Sequence, residues 1–261
     1  MKLLIGSTKD IASVNMMRLL KENYGFKEKG KLWSDGKTDL YIVDKLMSRL
    51  TPGDFDIDLG KYEYGVFISW HKSESAMPAL TFHATGNFSK AEAGGNDHEV
   101  SLTSASLLGG ICRNIDSEYE GEKFQVVYEC THHGPTDLPI PTCFAEVGSS
   151  EKEWNDIGVC NIVLEAALKS EPKAGVENCI GFGGPHYADR FTKRVKEGKF
   201  NLSHIGANYA LPFVDEDIVK QMIEKTREKV DYVVLQKKMK SEYKQKINGI
   251  LDDLGVESVR V

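Results

Sequence analysis

Apolar residues in this chain fall into short runs that repeatedly stop at polar clusters, and the spacing between runs alternates between strand and helix periods. Residues 2–6 predict a first strand, and Ser7-Thr8-Lys9-Asp10 reads as a turn with a helix cap. Ala12, Val14, Met16, Met17, Leu19 and Leu20 then recur at about helical spacing until Gly25. Residues 39–43 predict a second strand and 45–50 a helical turn or two, closed by the turn Thr51-Pro52-Gly53-Asp54. Residues 64–69 form a strongly apolar strand that ends on Trp70-His71-Lys72-Ser73-Glu74-Ser75. Residues 79–82 form another that ends on His83, followed by a polar loop through His98.

Residues 101–115 predict a helix weakened by Gly109-Gly110, and 124–128 a buried strand that runs into Glu129-Cys130-Thr131-His132-His133-Gly134-Pro135-Thr136. Gly-Pro cannot continue a strand, so the chain turns just after the two histidines. Adjacent side chains on extended backbone point apart, so these imidazoles could share one metal only if the turn bends them together. Residues 143–147 predict a strand. A helix follows from Ser150, with Glu153 at capping-box spacing and a stripe of Trp154, Ile157, Ile162, Leu164, Ala167 and Leu168. Residues 178–182 form a strand that stops at Gly183-Gly184-Pro185-His186-Tyr187. Residues 202–211 read as strand or irregular, 230–235 and 256–261 as strands, and two helices begin at Asp215 and at Ser241. This alternation predicts an α/β fold with a mixed, mostly parallel central sheet flanked by helices. It forms a single unit over 1–261, with room for a smaller subdomain within about 84–123.

Six of the seven histidines, His71, His83, His132, His133, His186 and His204, lie at or just past an apolar run, and only His98 sits in an open polar loop. If those strand ends face one edge of the sheet, the imidazoles converge on a metal site or an acid-base cluster, with Glu74, Glu129 and Glu146 beside them. A zinc held by histidine and carboxylate with one open position polarises a carbonyl and activates water. No dinucleotide loop, P-loop or G-x-S-x-G elbow is present. Five cysteines without a C-x-x-C pair speak against a disulfide framework or a thiolate zinc knuckle, and four of them, Cys130 included, read as small core residues. No apolar run approaches a membrane span, so the expectation is a cytoplasmic protein with no membrane partner.

A net charge of -6 leaves no wholesale basic groove, so DNA is not an expected partner and any nucleic acid must meet a local patch. Two stretches qualify. Arg190, Lys193, Arg194, Lys196 and Lys199 follow the His186-Tyr187 turn, and Lys237, Lys238, Lys240, Lys244 and Lys246 come later. Such runs are commonly solvated helix faces. The first adjoins the polar cluster, where Arg and Lys could hold phosphates while Tyr187 stacks on a base.

The segments 69–75, 80–87 and 129–136, Glu146-Val147-Gly148-Ser149 with Trp154, and Gly183-Gly184-Pro185-His186-Tyr187 with Arg190-Phe191-Thr192 resemble the archaeal and plant type of D-aminoacyl-tRNA deacylase. Gly6-Ser7-Thr8-Lys9-Asp10 and Tyr209-Ala210-Leu211 fit the same family, so the likeness covers nearly the whole chain in order. It departs at Trp70, Pro185, Ser203 and Asn208. The resemblance implies hydrolysis of the ester between a D-amino acid and the tRNA 3′ end, a zinc requirement, and a fold related to the phosphorylase and peptidyl-tRNA hydrolase group. On the joint reading a metal sits among His83, His132, His133 and His186, with Glu129 or Glu146 as ligand or support, and His71 or Glu74 assists proton transfer. Arg190, Lys193 and Arg194 hold the acceptor end, Tyr187 faces the terminal nucleoside, and Lys72, Asn87 and Thr136 complete the substrate-binding set of an expected monomer. Two rivals are a zinc-dependent peptidase or amidohydrolase acting on a small molecule, and a binding protein with a structural metal.

Overall fold

The computed structural model describes residues 1–73 and 76–261. β1 (Lys2–Ser7) is buried along its length and lies parallel to β4 (Thr38–Val43) on one side and β5 (Tyr64–Lys72) on the other. An unbroken apolar strand of this kind suits a parallel sheet covered on both faces. Helix α1 (Ile11–Asn23) follows β1. Asp10 caps it by accepting from the Ser13 N–H at 2.8 Å, as the sequence predicts. Between α1 and β4 the chain makes an exposed hairpin, β2 (Lys27–Lys29) and β3 (Leu32–Ser34), which carries no buried alternation for the sequence pattern to reveal.

After β5 come β6 (Ala79–His83), the short strands β7 (Gly86–Asn87) and β8 (Glu99–Val100), helix α2 (Ala105–Glu118), β9 (Gln125–Tyr128) and β10 (Thr142–Ser149). Among the described residues the large sheet runs β2-β3-β4-β1-β5-β10-β6-β9. β4, β1, β5 and β10 are parallel, whereas β6 and β9 run the other way against β10. Alternation along the strands sorts the core. Leu4, Val66, Ile68, Ala145 and Val147 meet α1, α2 and α4 on one face. Leu3, Ile5, Phe67 and Phe144 turn to the other, where the cover is not an α-helix but a segment of short 3-10 turns, Met47–Arg49, Pro52–Asp54 and Leu59–Lys61, carrying Met47, Leu50, Phe55, Leu59 and Tyr62.

The expected helix from Ser150 is two. α3 (Glu151–Trp154) stops after one turn and α4 (Ile157–Lys169) restarts from Asp156, which accepts from the Val159 N–H. The remaining elements are β11 (Asn178–Phe182), α5 (Asp189–Lys196), β12 (Asn201–Gly206), α6 (Glu216–Glu224), β13 (Tyr232–Leu235), α7 (Ser241–Leu254) and β14 (Ser258–Arg260). Their strands form a second sheet, β12-β11-β13-β14, parallel throughout. Helix α2, in the 84–123 stretch, puts Leu107, Leu108 and Ile111 in the same core as Leu202 and Ile205 of β12. Its Gly109 is explained by that approach, because a Cβ there would lie 2.1 Å from Asn201 Oδ1.

Candidate active site

The site grows from the face that no α-helix covers. Phe67, Ser69 and His71 alternate onto it from β5, Phe144, Glu146 and Gly148 from β10, and Thr81 and His83 from β6. The Phe67 and Phe144 rings stack at 4.5 Å, and the His83 ring lies flat on Phe144 at 5.3 Å, so the apolar core passes directly into the polar cluster. The strand ends do not all face one edge, as the sequence reading required. β6 and β9 run against β5 and β10, and the cluster forms where the two directions pass each other, bringing His83, Glu129 and Glu146 together.

His132 and His133 do share a site, and the backbone shows how. His133 takes φ of +40°, in the left-handed region that a β-strand never visits, and this turns its ring back toward His132, 4.4 Å away. The His83 ring lies 4.2 Å from His132 and 4.9 Å from His133, and His186 lies 4.7 Å from His132. Each of the first three donates from Nδ1 to a main-chain carbonyl: His83 to Ala84 at 3.1 Å, His132 to Cys130 at 2.8 Å, and His133 to Gly134 at 2.7 Å. A carbonyl can only accept, so each Nδ1 carries the proton and each Nε2 keeps a free lone pair. Burial and the imidazoles around it hold His132 well below the usual histidine pKa, and burial with His83 nearby lowers His133 to about 4. His132 and His133 are therefore neutral, the form a metal requires. One ligand atom from each of His83, His132 and His133 falls within 4.8 Å of the others, and His83 Nε2 is buried without a hydrogen-bond partner. The donor set fits a zinc ion with an open position.

The second half of the cluster is ionic. His71 Nδ1 lies 2.8 Å from Glu129 Oε1 and 3.6 Å from Glu146 Oε2. Burial alone would lower the His71 pKa, but the two carboxylates outweigh it and raise it to about 11. Burial likewise opposes ionisation of the acids, yet His186 and His71 hold Glu129 well below the usual carboxylate range, and His71 and His83 bring Glu146 to about 2. His186 contacts Glu129 Oε2 at 3.3 Å and Cys130 Sγ at 3.3 Å. Burial opposes its charge, but Cys130 and Glu129 raise its pKa to about 10. The result is a pair of neighbouring compartments, three imidazoles whose Nδ1 atoms are committed to main-chain carbonyls beside two cationic ones clamped by carboxylates.

A cavity of about 510 Å³ opens on this cluster, lined by His71, Lys72, His132, His133, Glu146 and His186, with Trp70, Leu46 and Met47 on its walls. Asn87 and Thr136 spend their polar groups on the neighbouring loop: Asn87 donates to the carbonyls of Gly94 and Asn96, and Thr136 donates to Glu99 while accepting from the Asn96 N–H. The Tyr187 hydroxyl accepts from His71 Nε2 at 2.7 Å. Lys193 lines a separate groove with Gln125 and Asp116 that contains no histidine, and Arg190 and Arg194 are exposed on the same helix, α5. Glu74 lies outside the described residues. His204 is not part of the cluster. It is fully buried within β12, with Nδ1 3.4 Å from Thr131 Oγ1. Cys130 is more than a core residue, since its sulfur meets both His186 Nδ1 and the Tyr209 hydroxyl and shares a possible ligand set with His132 and His186. The signal for it was its place one residue before Thr131-His132, which apolar surroundings masked.

Among the described residues no helix is long and apolar enough to cross a membrane. A family model described as D-aminoacyl-tRNA deacylase matches residues 59–259. The chain is 36% identical to the D-aminoacyl-tRNA deacylase of Thermococcus onnurineus, 32% to that of Thermoplasma volcanium and 34% to that of Cenarchaeum symbiosum. The first two alignments cover all of both chains and the third 99% of each. Its fold matches the crystal structure of a conserved protein of unknown function with a TM-score of 0.89 at 24% identity, over 100% of this chain and 95% of that one. Nothing among these relatives supports a small-molecule peptidase. The chain belongs to the D-aminoacyl-tRNA deacylase family.

Proposed function

We propose that the cluster hydrolyses the ester of D-aminoacyl-tRNA with the help of a zinc ion held by His83, His132 and His133. The hydrolase activity follows from the family: water cleaves the ester and releases free D-amino acid and tRNA. The metal is our own reading. The observation that carries it is the set of three imidazoles whose Nδ1 atoms are all committed to main-chain carbonyls, with a buried His83 Nε2 that makes no hydrogen bond. When bound there, zinc supplies a Lewis acid for the ester carbonyl and acidifies the attacking water.

The remaining work falls to the chain's own groups. Glu129, with Oε2 facing His132 at 3.4 Å and His186 at 3.3 Å, accepts the proton of the attacking water. His186, kept cationic, faces the same space and stabilises negative charge developing on the carbonyl oxygen. His71, held as an imidazolium by Glu129 and Glu146, donates through the Tyr187 hydroxyl to the departing ribose oxygen. Lys72 stands at the cavity wall, where its charge suits the phosphate of the terminal nucleotide. All these groups come from one chain, so the reading needs no second subunit, and a tRNA substrate supports the reading of a cytoplasmic protein.

The test is release of D-tyrosine from D-tyrosyl-tRNA against L-tyrosyl-tRNA, before and after chelation with zinc added back. Hydrolysis of the D ester that is lost on chelation and restored by zinc is the expected result. D-specific hydrolysis that survives removal of all metal would overturn the zinc site and keep the deacylase.

A further inference from the structure

Tyr209 is 56% exposed and Phe213 50%, and among the described residues every other Phe, Tyr and Trp is buried or half-buried. Both line one cavity of about 300 Å³, together with Phe88, Lys90, His132 and His133. The same two histidines line the catalytic cavity, so the imidazole pair is a wall shared by the two spaces. The Tyr209 ring is fixed before any ligand arrives: its hydroxyl meets Cys130 Sγ at 2.9 Å and His186 Nδ1 at 3.2 Å, and its plane lies within 17° of the His186 ring. Phe213 is seated by a 3-10 turn, Leu211–Phe213, that contains Pro212.

Positive charge adjoins this aromatic shelf. Lys246 donates from Nζ to the Pro212 carbonyl at 3.4 Å, which puts this lysine next to Phe213, and four more lysines precede it in the stretch 237–246. Lys237, Lys238, Lys240, Lys244 and Lys246 are opposed within that stretch by Glu242 alone, and among the described residues none of the five is ion-paired to a carboxylate. On α5, by contrast, Arg194 pairs with Glu197 at 3.0 Å and Lys196 with Asp116 at 2.8 Å.

We propose that this shelf binds the unpaired 3′-terminal bases of the tRNA by stacking on Tyr209 and Phe213, with the adjoining phosphates drawn to the lysines at 237–246. The inference rests on the deacylase reading and adds to it where the leaving group lies. The scissile ester is attached to the terminal ribose, so the terminal base must sit within a few ångströms of the reacting carbonyl. A base-binding surface therefore has to adjoin the imidazoles, as this cavity does and the groove on α5 does not. Stacking accepts any base because every base has a π-face, and a ring held in place loses little freedom on binding.

The probe is a short single-stranded RNA ending in C-C-A with 2-aminopurine in place of the terminal adenine, whose fluorescence is quenched on stacking. Wild-type protein should quench it, Phe213→Ala should weaken binding roughly 5- to 100-fold, and Phe213→Trp should retain it. In parallel, Phe213→Ala should raise KM for D-tyrosyl-tRNA while leaving hydrolysis of D-tyrosine methyl ester, which carries no base, unchanged relative to wild type. Replacing Lys238, Lys240 and Lys244 by Gln should flatten the salt dependence of RNA binding. No quenching by wild-type protein, or equal quenching by Phe213→Ala, overturns the shelf even if D-tyrosyl-tRNA is hydrolysed. Quenching as expected without any hydrolysis would sink the deacylase reading and leave an RNA-binding surface.

Discussion

His71 Nε2 and the Tyr187 hydroxyl lie 2.7 Å apart, and the far side of the same imidazole is held 2.8 Å from Glu129. The tyrosine is thus the outer end of a proton chain that starts at a buried carboxylate. Tyr187→Phe keeps the ring and removes the chain's last link, so kcat should fall by roughly 10²-fold with KM for D-tyrosyl-tRNA little altered. A variant that changes KM alone would assign Tyr187 to binding instead.

Removing one imidazole from the trio of His83, His132 and His133 should cost metal before it costs the fold. His83→Ala should retain the wild-type circular dichroism spectrum yet lose most of its bound zinc on dialysis and nearly all turnover. Metal content is the deciding measurement. Full zinc occupancy in His83→Ala would move the ligand set to His132, His186 and Cys130.

Gly148 faces His71 across paired strands, and a Cβ at that position would lie 2.7 Å from both Cβ and Cδ2 of the imidazole. Gly148→Ala must therefore displace His71 from its carboxylates or bend β10. Overpacking of this kind costs about 1–3 kcal/mol, to be read from denaturant unfolding. The rate should fall by at least about tenfold, because His71 is the group moved. Wild-type activity in a folded Gly148→Ala protein would separate His71 from the chemistry.

His204 supplies the clearest acid sensitivity away from the cluster. Burial lowers its pKa to about 3, against about 6.5 in the unfolded chain. Between those values the unfolded state binds a proton that the folded state refuses, so stability falls as pH drops from about 6.5 toward 3. His204→Gln should remove that slope, which amounts to about 1.4 kcal/mol per pH unit for wild type. Urea unfolding at pH 7, 5 and 4 checks it. Parallel pH curves for the two proteins would mean that His204 gains its proton without unfolding.

Strands such as β1 and β5 and the cap at Asp10 were legible because each is set by neighbours in sequence: an unbroken apolar run, or a carboxylate three residues from the N–H it accepts. The convergence of His83, His132, His133 and His186 was legible as chemistry but not as geometry. Pattern alone does not reveal that β6 runs against β10, nor that His133 adopts a positive φ. Glu146 and His71 could be named as candidates, whereas their shared proton depends on a separation of 3.6 Å between residues 75 positions apart. Cys130 and Tyr209 escaped for opposite reasons, one read as an apolar filler and the other as part of an irregular segment, and only folding brings the sulfur and the hydroxyl within 2.9 Å. The break between α3 and α4 was hidden because the apolar stripe continues across it.

The tautomers of His83, His132 and His133 are set by the carbonyls of Ala84, Cys130 and Gly134, groups that every amino acid brings. The orientation of three ligands is thus encoded in the path of the chain and not in the identity of the acceptor residues. At Gly134 that path leaves no room for a side chain, because a Cβ there would lie 2.3 Å from the Gly95 nitrogen. What the orientation is exposed to is a change in loop length: one residue inserted between His132 and Gly134 would re-aim the lone pairs while every ligand remained in the sequence.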